Sequence, residues 1–257
     1  MAAGEGLRVE HRDGVLILTI DRPAVRNAVD LATARLIAAA IDELEKRDDL
    51  AAAVLTGAGG SFCAGMDLKA LKEDGTRPVD ERRGPFGVCG RPPEKPLIAA
   101  VEGAAFGGGF EIVLACDLIV AAVDARFALP EVKRGLIAGG GGVVRLPRQV
   151  PRNVALEMIM SGEPIGAERA HGLGLVNRLS APGEALAVAL ELATTIAAAA
   201  PLAVRTSKRI VALQAGWGDD DLFERQAELV QAVRDSADAA EGTRAFVEKR
   251  QPRWSGR

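Results

Sequence analysis

Residues 97–122, LIAAVEGAAFGGGFEIVLACDLIVAA, constrain the fold of this chain more than any other stretch. An apolar strand runs into Gly107-Gly108-Gly109, a helix opens there, and a second apolar run follows. Glycines at a strand-to-helix junction let the backbone approach a ligand closely, and the first helical N–H groups lack intrahelical partners. With the helix dipole behind them, those donors suit an oxygen that acquires negative charge. Glu111 stands among apolar neighbours three residues beyond the central glycine. A carboxylate beside an anion site is repelled in the ground state, and proton transfer next to a developing oxyanion is the best reason for placing one there.

Composition removes other chemistries. The chain has no tyrosine, and its two histidines, His11 and His171, read as an exposed strand residue and a helix-end residue. No HExxH, GxSxG or GxxxxGK[ST] pattern occurs, which argues against metalloprotease, serine-hydrolase and P-loop chemistry. Carboxylates and backbone donors are left to do the work. Cys63, Cys89 and Cys116 are odd in number and widely spaced, so neither a disulfide framework nor a metal site is expected, and a reducing compartment fits. The balance of 32 basic against 35 acidic groups gives −3 and implies no nucleic-acid or membrane partner. The start MAAGEGLRVEH lacks a cationic segment followed by an apolar run, and Glu102, Glu111 and Asp117 interrupt the later apolar runs, so a cytoplasmic location is expected.

The rest of the chain is organised around the same strand-and-helix alternation. Residues 7–12 and 15–20 are β-rich and flank Asp13-Gly14, a hairpin signal. Asp30 is placed to cap a helix running to about Arg47, and residues 52–56 read as a buried strand. Residues 72–96 hold five of the thirteen prolines and many charges, the composition of a mobile surface loop, conceivably a lid. Strands are expected at 117–122 and near 125–129, a turn at Pro130, and mostly helices beyond Val143 with a short strand near 175–178. From about Ala200 the pattern is helical, and Leu222, Phe223, Leu229, Val230 and Val233 form an amphipathic stripe suited to core or subunit packing. Strand–strand–helix units recur through the first two-thirds.

Three glycine-rich segments, around 57–65, 107–109 and 139–142, occur in order, with a carboxylate tied to two of them: Glu111 and Glu131. Each alone reads as a tight turn, and the first lacks the third glycine of a dinucleotide fingerprint. Together with DRPAVRNAVD (21–30), SFCAGMDL (61–68), AAVEGAAFGGGFEIVLACDLIVAA (99–122), ARFALPEVKRGLIAGGGG (125–142) and EGTRAFVEKRQPRW (241–254), they resemble the crotonase, or enoyl-CoA hydratase/isomerase, superfamily over nearly the whole chain.

That resemblance implies an α/β fold, a spiral of ββα units over residues 1–198. It also implies a C-terminal helical region, 199–257, that packs protomers into trimers or hexamers. The implied substrate is an acyl-CoA thioester, with CoA part of the substrate and no separate cofactor or metal. The matching positions give the backbone N–H groups of Met66 and Gly108 to the thioester oxygen. Glu111 would deprotonate water and Glu131 would exchange the α-proton. Arg26 would lie along the pantetheine entrance, backbone groups near Ala64 and Asp67 would line the adenine pocket, and Lys249, with Arg244 and Arg250, would reach a CoA phosphate. Asp67 has the alternative role of bracing its loop.

Two acids favour hydration of a trans-2-enoyl-CoA over the superfamily's single-acid isomerases. The chain also looks close to carnitinyl-CoA dehydratase-like members, so a hydro-lyase of that type and a Δ3–Δ2 isomerase remain alternatives, as does a binding protein without turnover. Ala138, Phe110 and Val143-Val144 depart from the common hydratase pattern at positions expected to shape the acyl pocket.

Overall fold

The computed structural model describes residues 5–257; the reading of the N-terminus begins at residues 1–4, outside that range. The chain opens with β1 (Gly6–Arg12) and β2 (Val15–Asp21), paired antiparallel with Arg12 opposite Val15. Asp13 and Gly14 both adopt left-handed φ, at 49° and 78°, the geometry that matches a two-residue hairpin to strand twist. Helix α1 (Leu31–Lys46) begins where Asp30 accepts a hydrogen bond from the Thr33 N–H at 2.8 Å.

Next come β3 (Ala52–Gly57), α2 (Leu68–Asp74), the short hairpin β4 (Val79–Asp80) and β5 (Gly84–Pro85), then β6 (Leu97–Val101), β7 (Ala104–Phe106) and α3 (Gly108–Ala115). The pattern repeats with β8 (Leu118–Ala122), β9 (Arg126–Ala128), a 3-10 turn at Pro130–Arg134, α4 (Gly142–Gln149) and α5 (Arg152–Ser161). The remaining elements are β10 (Ile165–Gly166), α6 (Ala167–Gly172), β11 (Arg178–Ser180), α7 (Ala185–Ala197), α8 (Pro201–Leu213), α9 (Leu222–Arg234) and α10 (Ala237–Glu248).

A six-stranded sheet in the order β1-β2-β3-β6-β8-β11 is parallel except at its β1–β2 edge. A second sheet in the order β10-β9-β7 is extended by a parallel bridge between Cys63 and Ala105. After the β1–β2 hairpin, the turns at β3, β6 and β8 each give one strand to the large sheet and the following segment to the small sheet before the chain turns helical. This is the expected ββα spiral.

Strand alternation divides the core. Leu16, Leu18, Ile20 and Leu55 pack with Ile37, Ile41 and Leu44 of α1 on one face of the large sheet. Val15, Val54, Ile98 and Val120 meet Ala185, Ala189 and Ala193 of α7 on the other.

Two expectations are corrected. Residues 72–96 are not a loose surface lid. Phe86, Val88 and Cys89 are buried, the Arg83 guanidinium pairs with Asp42 at 2.8 Å, and Lys95 Nζ donates to the carbonyls of Leu44, Arg47 and Leu50. Proline and glycine signal the lack of regular structure there, and side-chain burial pins the segment regardless. The Leu222–Val233 stripe is not core within one chain, because no residue of α8 or α9 is buried and Phe223 is 83% exposed.

Candidate active site

The small sheet sets the site's geometry. Cys63, Ala105 and Phe127 lie side by side on successive turns, Cys63 bridging Ala105 and Ala105 pairing with Phe127. Three residues beyond each come Met66, Gly108 and Pro130, with Glu131 next. Segments 42 and then 22 residues apart in sequence thus deliver equivalent positions to one wall. Gly65 makes the close approach possible: its φ is +97°, and a Cβ there would lie 2.9 Å from both the Gly108 nitrogen and the Phe106 carbonyl oxygen.

Among the described residues, neither the Met66 N–H nor the Gly108 N–H donates a hydrogen bond within the chain. Several neighbouring groups are committed. Gly65 O accepts from the Val29 N–H, the Asp67 N–H donates to Val29 O, and the Gly107 N–H donates to Ala128 O. Two adjacent donors held in a rigid frame without partners are what an oxyanion site requires.

Glu111 sits in the first turn of α3, only 3% exposed, and its Oε1 accepts from the Gly142 N–H at 2.9 Å. Burial raises its pKa, while the backbone N–H groups of residues 140–142 and the Arg145 guanidinium oppose the shift. The third glycine segment is required here, since a Cβ on Gly140 would lie 2.7 Å from Glu111 Oε2. Glu131 follows β9 in the 3-10 turn. Its Oε1 is 3.1 Å from the point where a Cβ on Gly107 would lie, and its Oε2 is buried without a hydrogen-bond partner. Burial raises its pKa, and the charge of Glu111 raises it further. Glu131 thus faces Gly107 at the start of α3, while Glu111 faces the third glycine segment.

The enoyl-CoA hydratase/isomerase family model matches residues 10–257. The chain belongs to that family. It is 41% identical to enoyl-CoA hydratase EchA19 of Mycobacterium tuberculosis over 99% of this chain and 98% of that protein. It is 42% identical to carnitinyl-CoA dehydratase of Escherichia coli K12, over 98% of this chain and 99% of that one. The crystal structure of an enoyl-CoA hydratase from M. tuberculosis H37Rv superposes with a TM-score of 0.96 at 52% identity, covering 99% and 100% of the two chains.

Within this hydratase/isomerase fold the other expected residues separate. Asp67 braces its loop: its side chain caps α2 by accepting from the Lys69 and Ala70 N–H groups and pairs with Arg22 at 3.0 Å. Arg22 also reaches Asp30 at 2.9 Å and Ala28 O at 2.5 Å, so one guanidinium ties together the segments on both sides of Met66. Arg26 is exposed, in a left-handed turn with φ 53°, and its carbonyl accepts from the Ala64 N–H. The N–H groups of Ala64 and Asp67 are therefore engaged internally, to Arg26 O and Val29 O.

Lys249 caps the C-terminus of α10 with a left-handed φ of 53°. Arg244 and Arg250 both pair with Glu241, whose carboxyl they hold well below the usual range, so these tail cations are already partnered. Phe110 is buried in the core, its ring tilted against Phe127 at a centroid distance of 5.3 Å. It does not line an acyl pocket, contrary to expectation, because its helix position points it inward from the glycine turn.

Two residues escaped the sequence reading. Arg145 braces the third glycine loop by donating to Cys89 O at 2.5 Å and Gly140 O at 3.4 Å. Phe86 lies over Gly108, where a Cβ would collide with its ring. Its only advance signal was an aromatic set between Gly84 and Gly87.

Proposed function

We propose that this chain adds water across the double bond of a trans-2-enoyl-CoA thioester. The observation that carries the reading is a buried carboxyl, Glu111, and a half-buried one, Glu131, that feels its charge, on the same wall as two unengaged N–H donors. In this scheme Met66 and Gly108 hold the thioester oxygen, which draws electron density from the β-carbon and stabilises an enolate. Glu111 takes a proton from water, the oxygen bonds to Cβ, and Glu131 delivers a proton to Cα as the enolate collapses. The net result is OH on Cβ and H on Cα. Glu131 Oε2, buried without a partner, is suited to hold that mobile proton or the water itself.

The same groups run in reverse dehydrate a polar β-hydroxyacyl-CoA, and the relatives named carnitinyl-CoA dehydratase support this second reading. An isomerase needs only one acid and leaves the second buried carboxyl unexplained. Product analysis with crotonyl-CoA, a 3-enoyl-CoA and carnitinyl-CoA separates these cases. A 3-hydroxyacyl product from the 2-enoyl substrate is expected. Turnover confined to carnitinyl-CoA, or a double-bond shift alone, would overturn the first reading.

Several subsidiary assignments belong to this proposal. CoA enters with the substrate and no further cofactor is needed. The Arg26–Ala64 rim lies along its path, and Lys249 meets a CoA phosphate across a subunit boundary. Residues 199–257 form an assembly layer beside the 1–198 core, supported by the exposure of Val211, Phe223, Phe246 and Val247. Solution mass is expected to give a trimer or hexamer, and a monomer would contradict it. Among the described residues no single helix is long and apolar enough to cross a membrane; we place the enzyme in the cytoplasm without a nucleic-acid partner.

A further inference from the structure

Phe86 is the one aromatic residue among the described residues with positive φ, at 57°. A bulky side chain in that region is strained and persists only where its surroundings impose it. Here they do. The Phe86 N–H donates to Pro78 O at 2.6 Å, the Cys89 N–H to Pro85 O, and the Gly90 and Arg91 N–H groups to Arg83 O. Gly87 presses directly on the Ala34 carbonyl of α1, where no side chain fits. Arg83 anchors one side of the turn to Asp42, and Arg145 anchors the other through Cys89 O.

This framework holds the ring, 7% exposed, in one place. It covers the Gly108 Cα, and its edge lies 3.0 Å from the point above Gly140 that is 2.7 Å from Glu111 Oε2. The ring therefore spans the gap between an oxyanion donor and one of the two carboxyls. A thioester with its oxygen at Gly108 and its Cβ near Glu111 must run its acyl tail past this ring.

We infer that Phe86 is the specificity-determining wall of the acyl site, a rigid stop that confines it to short 2-enoyl thioesters. The inference rests on the acyl-CoA reading above and names the substrate class within it. A pinned aromatic acts as a steric filter and not as a moving gate. Its strain is the cost of placing an aromatic where glycine would sit more comfortably.

The test compares wild type, Phe86→Ala and Phe86→Gly. Turnover is measured with crotonyl-CoA and trans-2-octenoyl-CoA, and binding with the unreactive butyryl- and octanoyl-CoA. Phe86→Gly relieves the backbone strain, so it guards against a variant that fails to fold; thermal melting checks both. Wild type is expected to favour the four-carbon chain. Both variants should raise the eight-to-four preference about tenfold or more, in binding and in turnover. Folded variants with unchanged chain preference, or a wild type that already favours eight carbons, would overturn the role of Phe86. Wild type that binds thioesters with chain discrimination but turns none over would sink the hydratase reading while the binding ratio still decides Phe86. Wild type that binds no thioester overturns both.

Discussion

The wall built by residues 63–67, 105–111 and 140–142 and the C-terminal layer of α8–α10 are both rich in apolar and small residues, yet they spend them differently. In the wall, glycines bring backbone into contact with backbone, bury Glu111 and half-bury Glu131, and burial raises the pKa of both carboxyls. In the C-terminal layer, phenylalanines and valines face outward while the charges pair with one another around Glu241. The contrast teaches that a buried carboxyl without a salt-bridge partner, as at Glu111, marks chemistry, whereas buried Glu241 is neutralised by two guanidiniums. The exposed apolar side chains of the same layer carry the proposed assembly surface.

Substitutions can break this contrast in order of expected size. The double variant Glu111→Gln/Glu131→Gln should lose hardly more activity than the worse single variant, because the pair acts as one unit. A multiplicative loss in steady-state rates would show two independent groups. Gly140→Ala places a methyl against Glu111 Oε2 and should lower kcat about 10²-fold with substrate binding retained.

Arg22→Leu removes the cation shared by Asp30 and Asp67 and should cost about 1–3 kcal/mol in denaturant unfolding. Raised carboxyl pKa values also carry a sign for stability. The folded chain binds these protons more tightly than the unfolded chain, so stability falls as pH rises from the ordinary value of 4.5 through the raised ones. Glu111→Gln should therefore melt higher than wild type at neutral pH, with the advantage vanishing below 4.5; a lower melting point at neutral pH would show that the buried charge is well compensated. At the other extreme, Phe223→Ser should shift solution mass towards monomer while changing single-chain unfolding by no more than about 0.5 kcal/mol.

Much of the wall was legible in the sequence because its signals are local. Asp13-Gly14, the Asp30 cap and the glycine junction at 107–109 each specify backbone geometry within a few residues, and each appears as expected. The register that sets Met66 beside Gly108 was legible only through the family resemblance. It depends on pairing Cys63 with Ala105 across 42 residues, which no local pattern encodes. Segment 72–96 misled for the opposite reason. Its prolines and charges describe irregular backbone, whereas its placement follows from distant partners such as Asp42 for Arg83 and the α1 carbonyls for Lys95. Phe86 was hidden in that segment, since a left-handed aromatic has no compositional signature. Asp67 shows the limit at a single residue: an acid beside the oxyanion donor looks functional until Arg22 and the α2 cap account for its oxygens.

The central claim is that buried Glu111 and half-buried Glu131 move protons beside the Met66 and Gly108 donors. The most direct test follows the loss of enoyl-thioester absorbance with crotonyl-CoA in wild type, Glu111→Gln and Glu131→Gln, alongside butyryl-CoA binding to all three. The account predicts rapid loss in wild type, a fall of about 10²–10⁴ in each variant, and nearly unchanged binding. Wild-type rates in either variant, with binding intact, would contradict it.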